Sequence, residues 1–180
     1  MRHRRLWKRL TGICAIASLV ISCQAGTPRY HLDFETEEDL DALFWQCKTV
    51  FSLSKNYVTS GGKSLQVEFF PSPYPGLRLE GFPSDWSHYG HLVFDAYNPE
   101  DKALSLDLRL DDKRDPHFDD RYNGKVKLNP GRNHISIALD SLITTGTARH
   151  LDLAHLRKVV LFMTNPRVVH VVFFDDLRVE

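Results

Sequence analysis

Leu104, Leu106, Leu108 and Leu110 alternate without a break with Ser105, Asp107, Arg109 and Asp111. Successive side chains of an extended strand point to opposite faces, so this octapeptide sets four leucines on one side and a polar row on the other. A helix would scatter the same residues around its circumference. Ile135, Ile137 and Leu139 alternate in the same way with His134, Ser136 and Ala138, and Leu65, Val67 and Phe69 oppose Gln66, Glu68 and Phe70. Turn chemistry separates these runs: Ser60-Gly61-Gly62, Pro71-Ser72-Pro73, Asn98-Pro99, Tyr122-Asn123-Gly124 and Asn129-Pro130-Gly131 are segments in which glycine, proline and asparagine supply bends that strands cannot. About ten short strands so punctuated predict an all-β sandwich or barrel. One short helix is expected at Thr36 to Phe44, where Thr36 caps the start, Asp39 closes the capping box, and Leu40, Leu43 and Phe44 form an apolar side. A second helical turn is expected at 154–157.

The first thirty residues follow other rules. Arg2, Arg4, Arg5, Lys8 and Arg9 precede an apolar stretch from Leu10 to Ile21, and no acidic residue occurs before Asp33. This is the layout of a signal peptide. The stretch falls short of the roughly 20 residues that span a bilayer, so removal is expected, an uncleaved signal-anchor helix being the alternative. Val20-Ile21-Ser22-Cys23 resembles the lipobox of bacterial lipoproteins, with an apolar residue three before the cysteine and a small one directly before it. The resemblance implies cleavage after residue 22, lipidation of Cys23 and attachment to a membrane. Gln24, which is not Asp, implies the outer membrane of the cell envelope. The expected organisation is thus a leader at 1–22, a tether at 23–29 and one domain at 30–180.

Charge and cysteine content limit what that domain can do. Residues 1–22 hold five of the 23 Lys and Arg and none of the 23 Asp and Glu, so the remainder is acidic and no basic cluster survives to release counterions from a nucleic acid. Cys14 leaves with the signal and Cys23 takes the lipid, which leaves Cys47 without a disulfide partner. A buried, inert thiol is the ordinary reading of such a residue. The last strand raises a different question: Val171, Phe173, Leu177 and Val179 share one parity, and Asp175 falls on it. A carboxylate in a core row is costly unless it is paired, hydrogen-bonded or metal-bound.

Several segments in order resemble the jelly-roll sandwiches of carbohydrate-binding modules, the galactose-binding-like group that includes family 11. They are Asp33-Phe34-Glu35, the Tyr57 to Leu65 segment, Asp85-Trp86-Ser87-His88-Tyr89, the Leu92 to Asn98 strand, Leu108-Arg109-Leu110-Asp111-Asp112, the Leu128 to Asn133 turn and Phe174-Asp175-Asp176-Leu177. The resemblance implies a jelly roll of two antiparallel sheets. It also implies a structural calcium ion tying the first strand to the last through Asp33 or Glu35 and Asp175, with carbonyls near Ser60 to Lys63. Calcium takes six to eight oxygen ligands and would stabilise a buried carboxylate; pairing of Asp175 with a cation or with backbone amides is the alternative.

In such a sandwich one sheet face carries the sugar site. Asp107, Arg109 and Asp111 share one side of a strand, Asp95 and Tyr97 are expected beside them from the preceding strand, and Arg121 follows in the next loop, with His134 outward on a later strand. Planar donors and acceptors match vicinal hydroxyls, and aromatic rings match the C–H face of a sugar. The competing reading is a solvated sheet face laced with Asp and Arg pairs. Trp45 and Trp86 are either stacking platforms or core. Catalysis is not expected: Asp111-Asp112, Asp119-Asp120 and Asp175-Asp176 are adjacent pairs whose members point to opposite faces of a strand, and glycoside hydrolysis needs two carboxyls across one bond. The expected partner is therefore a carbohydrate or, if Val159, Leu161, His170, Val172 and Phe174 form an outward apolar patch, an envelope protein.

Overall fold

The alternating segments become strands of two stacked antiparallel sheets in the computed structural model, which describes residues 30–180. The expected leader, the lipidation site Cys23 and the tether lie outside the described residues. In chain order the strands are β1 (His31–Leu32), β2 (Leu43–Gln46), β3 (Thr49–Ser54), β4 (Ser64–Phe69), β5 (Gly76–Leu79), β6 (His91–Asn98), β7 (Leu104–Asp111), β8 (Tyr122–Leu128), β9 (Gly131–Ala138), β10 (Lys158–Phe162) and β11 (His170–Val179). One sheet runs β3-β4-β11-β6-β9, with β1 also paired to β11. The other runs β2-β5-β10-β7-β8. Only β3 to β4 and β7 to β8 connect within one sheet; every other connection crosses between the sheets, and all pairings are antiparallel.

The leucine row of β7 does what its period dictates. Leu104, Leu106, Leu108 and Leu110 are all buried, facing Leu65, Val67 and Phe69 of β4 and Val172 and Phe174 of β11 across the sandwich. Full burial of such a side chain contributes about 1.5–3 kcal/mol. Trp86 is fully buried within the same core, edge-on to Phe82 at 5.6 Å. Among the described residues no helix is long and apolar enough to cross a membrane.

Five expectations are corrected. The Thr36 capping box forms, but the helix is a 3-10 turn confined to Glu37–Ala42, because Leu43 and Phe44 pair with β5 as β2. The second helical turn is likewise 3-10 and lies one residue earlier than expected at its start, over Leu153–His155. Cys47 is exposed, at a positive φ of 53° in the tight turn from β2 to β3. In β11 the parity is interrupted: a register shift lies between Asp175 and Arg178, and Asp176 has φ of 51°. A bulged residue flips the strand over, so Val172 and Phe174 face the core before it and Leu177 and Val179 after it. Val159 and Leu161 of β10 face the same core as Val172 and Phe174, so the outward apolar patch expected from these residues does not form.

Candidate functional site

The polar row of β7 is one strip of a wider surface. Cross-strand registers bring Phe44, Arg78, Val160, Arg109 and Asn123 into one line across the outer face of the second sheet. The neighbouring line holds Gln46, Gly76, Phe162, Asp107 and Lys125. Loops raise walls over this floor: Tyr74 ahead of β5, Phe118 and Arg121 between β7 and β8, Thr145 after β9 and Thr164 after β10. Together they enclose an open cleft of about 520 Å³.

The floor is fixed by its own hydrogen bonds. Asp107 accepts from Lys125 Nζ at 2.6 Å and from Thr164 Oγ1 at 2.8 Å. Arg109 donates through Nε to Asp111 at 2.8 Å and through a second nitrogen to the other carboxylate oxygen. Asp111 is fully buried, so Arg109, with Lys158 at 3.8 Å behind it, supplies the opposite charge that a buried carboxylate needs. Asn123 donates to Thr145 Oγ1 at 2.9 Å. Tyr74 meets Phe162 edge-on, with ring centroids 6.0 Å apart.

The loop carrying Phe118 and Arg121 is held from behind by Arg149. Its guanidinium is bidentate to Asp112 and donates through Nε to Asp120 at 2.6 Å, with a further bond to the Asp120 carbonyl at 3.0 Å. Burial opposes the charge on Asp112, yet the bonds from Arg149 and from the Asp152 amide outweigh it and hold the carboxyl below its ordinary range. Asp120 is held far lower still, by Arg149 first and Lys113 second. Arg121 lies over Phe118, its guanidinium carbon 5.2 Å from the ring centroid. Burial, and after it the charge of Arg109, pushes the Arg121 cation below its usual pKa.

The sequence-derived candidates divide. Asp107, Arg109 and Arg121 meet in the cleft, with Asp111 beneath as the partner of Arg109. Asp95 and Tyr97 do not: they belong to β6, which lies in the other sheet, and they face outward on the far side of the sandwich. There Asp95 bonds His134 Nδ1 at 2.6 Å, and Tyr97 stacks on Tyr57 at 3.7 Å. Trp86 is core, and Trp45 is 56% exposed beside Phe44, outside this cleft. Tyr74, Phe118 and Phe162 went unnoticed in the sequence; the only local signal was an aromatic set among prolines at Pro73-Tyr74-Pro75.

The residues expected to hold calcium do not fit it. Asp175 Oδ2 accepts from the Thr59 amide at 2.6 Å, the Thr59 hydroxyl at 3.0 Å and the Ser60 amide at 3.0 Å, while Oδ1 accepts from the Asp176 amide. Glu35 accepts from the amides of Gly62 and Lys63, and Lys63 Nζ donates to the Glu35 carbonyl at 2.7 Å. Asp33 accepts from the Glu35 amide. The loop thus turns N–H groups, which cannot ligate a cation, toward these carboxylates. Among the described residues no three His, Cys, Asp or Glu side chains gather to hold a metal.

Comparison with known proteins agrees with this architecture. No protein-family model and no curated protein sequence matches the chain. Solved structures do. A family 11 carbohydrate-binding module from Clostridium thermocellum, in complex with a β-1,3-1,4-mixed-linked tetrasaccharide, superimposes with a TM-score of 0.57 at 14% identity, over 76% of this chain and 86% of that one. A C-terminal family 22 carbohydrate-binding module from the same organism gives 0.57 at 12% identity, over 86% and 94%. An exo-β-agarase gives 0.69 at 16% identity; 86% of this chain is covered, but it spans only 25% of the agarase. The domain has the galactose-binding-like jelly-roll fold of carbohydrate-binding modules.

Proposed function

We propose that the domain is a non-catalytic carbohydrate-binding module that takes a stretch of glycan in the cleft over β2, β5, β10, β7 and β8, and that a lipid on Cys23 holds it at the outer membrane. The observation that carries this reading is the lining of the cleft. The rings of Tyr74, Phe118 and Phe162 stand beside Gln46, Asp107, Asn123 and Thr145, so C–H surface and hydroxyls of one sugar chain can be met together. The polar groups are already oriented by bonds to one another, which lowers the ordering cost of binding. The absence of catalysis is supported by how the paired acids are used: Asp111 and Asp112 each face an arginine, and Asp175 is filled by amides. The carbohydrate-binding modules of similar structure favour the same class of ligand.

The test is glycan binding by the full chain, purified in detergent, against a panel of neutral and acidic polysaccharides. Phe162→Ala and Tyr74→Ala should abolish or strongly weaken binding, whereas Asp95→Ala, on the opposite sheet, should leave it unchanged. Binding that survives both cleft substitutions, or a folded protein that binds no glycan, removes the reading. Localisation is tested separately, since Cys23→Ser should move the protein from the membrane to the soluble fraction.

A further inference from the structure

Five arginines among the described residues are half-buried: Arg78, Arg109, Arg121, Arg149 and Arg178. Four donate hydrogen bonds that account for their position. Arg78 bonds Glu80, Arg109 bonds Asp111, Arg149 bonds Asp112 and Asp120, and Arg178 bonds Asp176 and Glu180. The Arg121 side chain makes no hydrogen bond or ion pair among the described residues. Its Nε is buried without an acceptor, and its flat face rests on Phe118. A guanidinium has five donors and no way to shed its charge at neutral pH. Leaving it unanswered beside a second arginine is unfavourable, because an unsatisfied buried donor forfeits its hydration and gains nothing for it.

A second hollow continues the cleft. Lys158 lies on the same outward row of β10 as Val160 and Phe162, directly across from Asp111. It opens into a depression of about 680 Å³ lined by Lys113, Arg114, Arg157 and Lys158 against Asp112 and Asp115. Asp112 is bound to Arg149, Lys113 to Asp120, and Lys158 lies 3.8 Å from both Asp111 and Asp115, so among the described residues Arg114 and Arg157 are the cations of this hollow that hold no ion pair. The bias is local: from residue 23 onward the chain holds 18 basic and 23 acidic residues. Unpaired positive charge thus occurs both in the cleft, at Arg121, and in the hollow beside it, in an otherwise acidic domain.

We infer that the ligand of the cleft is an anionic glycan, bearing carboxylate or sulfate groups along its chain, with one anionic group taken by Arg121 and further ones reaching Arg114 and Arg157 in the adjoining hollow. The inference rests on the carbohydrate reading above and narrows it to a class. Arg121 supplies a planar fork suited to either oxyanion, Phe118 holds the fork in place, and the Tyr74 and Phe162 rings take the uncharged face of the sugar.

The experiment compares four probes on the full chain in detergent by titration calorimetry: polygalacturonate for carboxylate, dextran sulfate for sulfate, and mixed-linked β-glucan and agarose as neutral chains. One acidic probe should bind at least roughly tenfold more tightly than either neutral one, and its binding should weaken with added salt. Arg121→Gln should cost roughly tenfold or more of that affinity, as expected for loss of a charge-assisted bond, and leave the melting temperature unchanged. Arg121→Lys, which keeps charge but not the fork, should fall between. Which acidic probe responds separates the carboxylate from the sulfate. Neutral glycans bound as well as acidic ones, or acidic binding indifferent to both Arg121 variants, overturns the inference while leaving the carbohydrate reading in place. Binding to none of the four by the folded protein overturns both. If Arg121→Gln fails to fold, Arg121→Lys and the salt dependence of the unaltered chain decide.

Discussion

The carboxylate of Asp175 joins Thr59, 116 residues earlier, by two bonds at once, taking its amide at 2.6 Å and its hydroxyl at 3.0 Å. Through this contact, and through Phe173 against Tyr57 at 4.8 Å between ring centroids, β11 fixes the loop between β3 and β4. Removing calcium with a chelator should therefore leave the melting temperature of the protein unchanged, whereas Asp175→Ala should destabilise it by about 2–3 kcal/mol, since buried amides lose a charged acceptor. A large drop in melting temperature on chelation, reversed by calcium, would contradict this account.

Arg149 holds Asp112 and Asp120 together behind the wall of the cleft. Arg149→Ala strands the buried Asp112 and should cost about 3 kcal/mol in urea unfolding. The Asp112 carboxyl is depressed in the folded state, so its contribution is present above the unfolded value near about 4 and is lost as pH falls through the folded value. Acidification through this window should destabilise the unaltered protein more steeply than Arg149→Ala, a difference that parallel unfolding curves would reveal.

Gly76 lies opposite Phe162 in the register of β5 and β10. A Cβ there would sit 2.5 Å from the Leu161 carbonyl oxygen and 2.8 Å from the Phe162 Cα, against backbone that cannot yield. Gly76→Ala should destabilise the domain by about 1–3 kcal/mol and shift Phe162 enough to weaken glycan binding. Unaltered stability and binding would show that the two strands part easily at this point.

Arg109→Ala removes the counter-charge of the fully buried Asp111, so loss of stability should accompany any loss of binding. The stability cost should be about 3 kcal/mol. Adding Asp111→Asn to it should recover part of the stability, because the stranded charge is gone, and a chemical denaturation series on the single and double variants measures the recovery.

How much of this was written in the sequence depended on whether the deciding contacts are local. The leucines of β7 alternate strictly, and their burial and the exposure of Asp107 and Arg109 follow from period two alone. Val159 to Phe162 is apolar on both faces of a central strand, so its alternation carries no phase, and Val159 and Leu161, expected outward, face the core. The β11 bulge reverses parity at one residue and cannot be read from hydrophobicity. Asp95 and Tyr97 alternate correctly, but which sheet receives β6 is settled by pairing with β9 and β11, far along the chain. The aromatic walls arrive on loops whose placement is set by contacts such as Arg149 with Asp120.

The order of strands in the first sheet has a kinetic corollary. β11 sits in the middle, between β4 and β6, yet it is synthesised after both. Neither neighbour can complete its hydrogen-bond ladder, nor can the hydrophobic layer close, until β11 has emerged and folded back across more than half of the domain. Such non-local assembly belongs to the slow end of single-domain folding, in milliseconds to seconds. A nascent chain built this way stays open for as long as its central strand is missing.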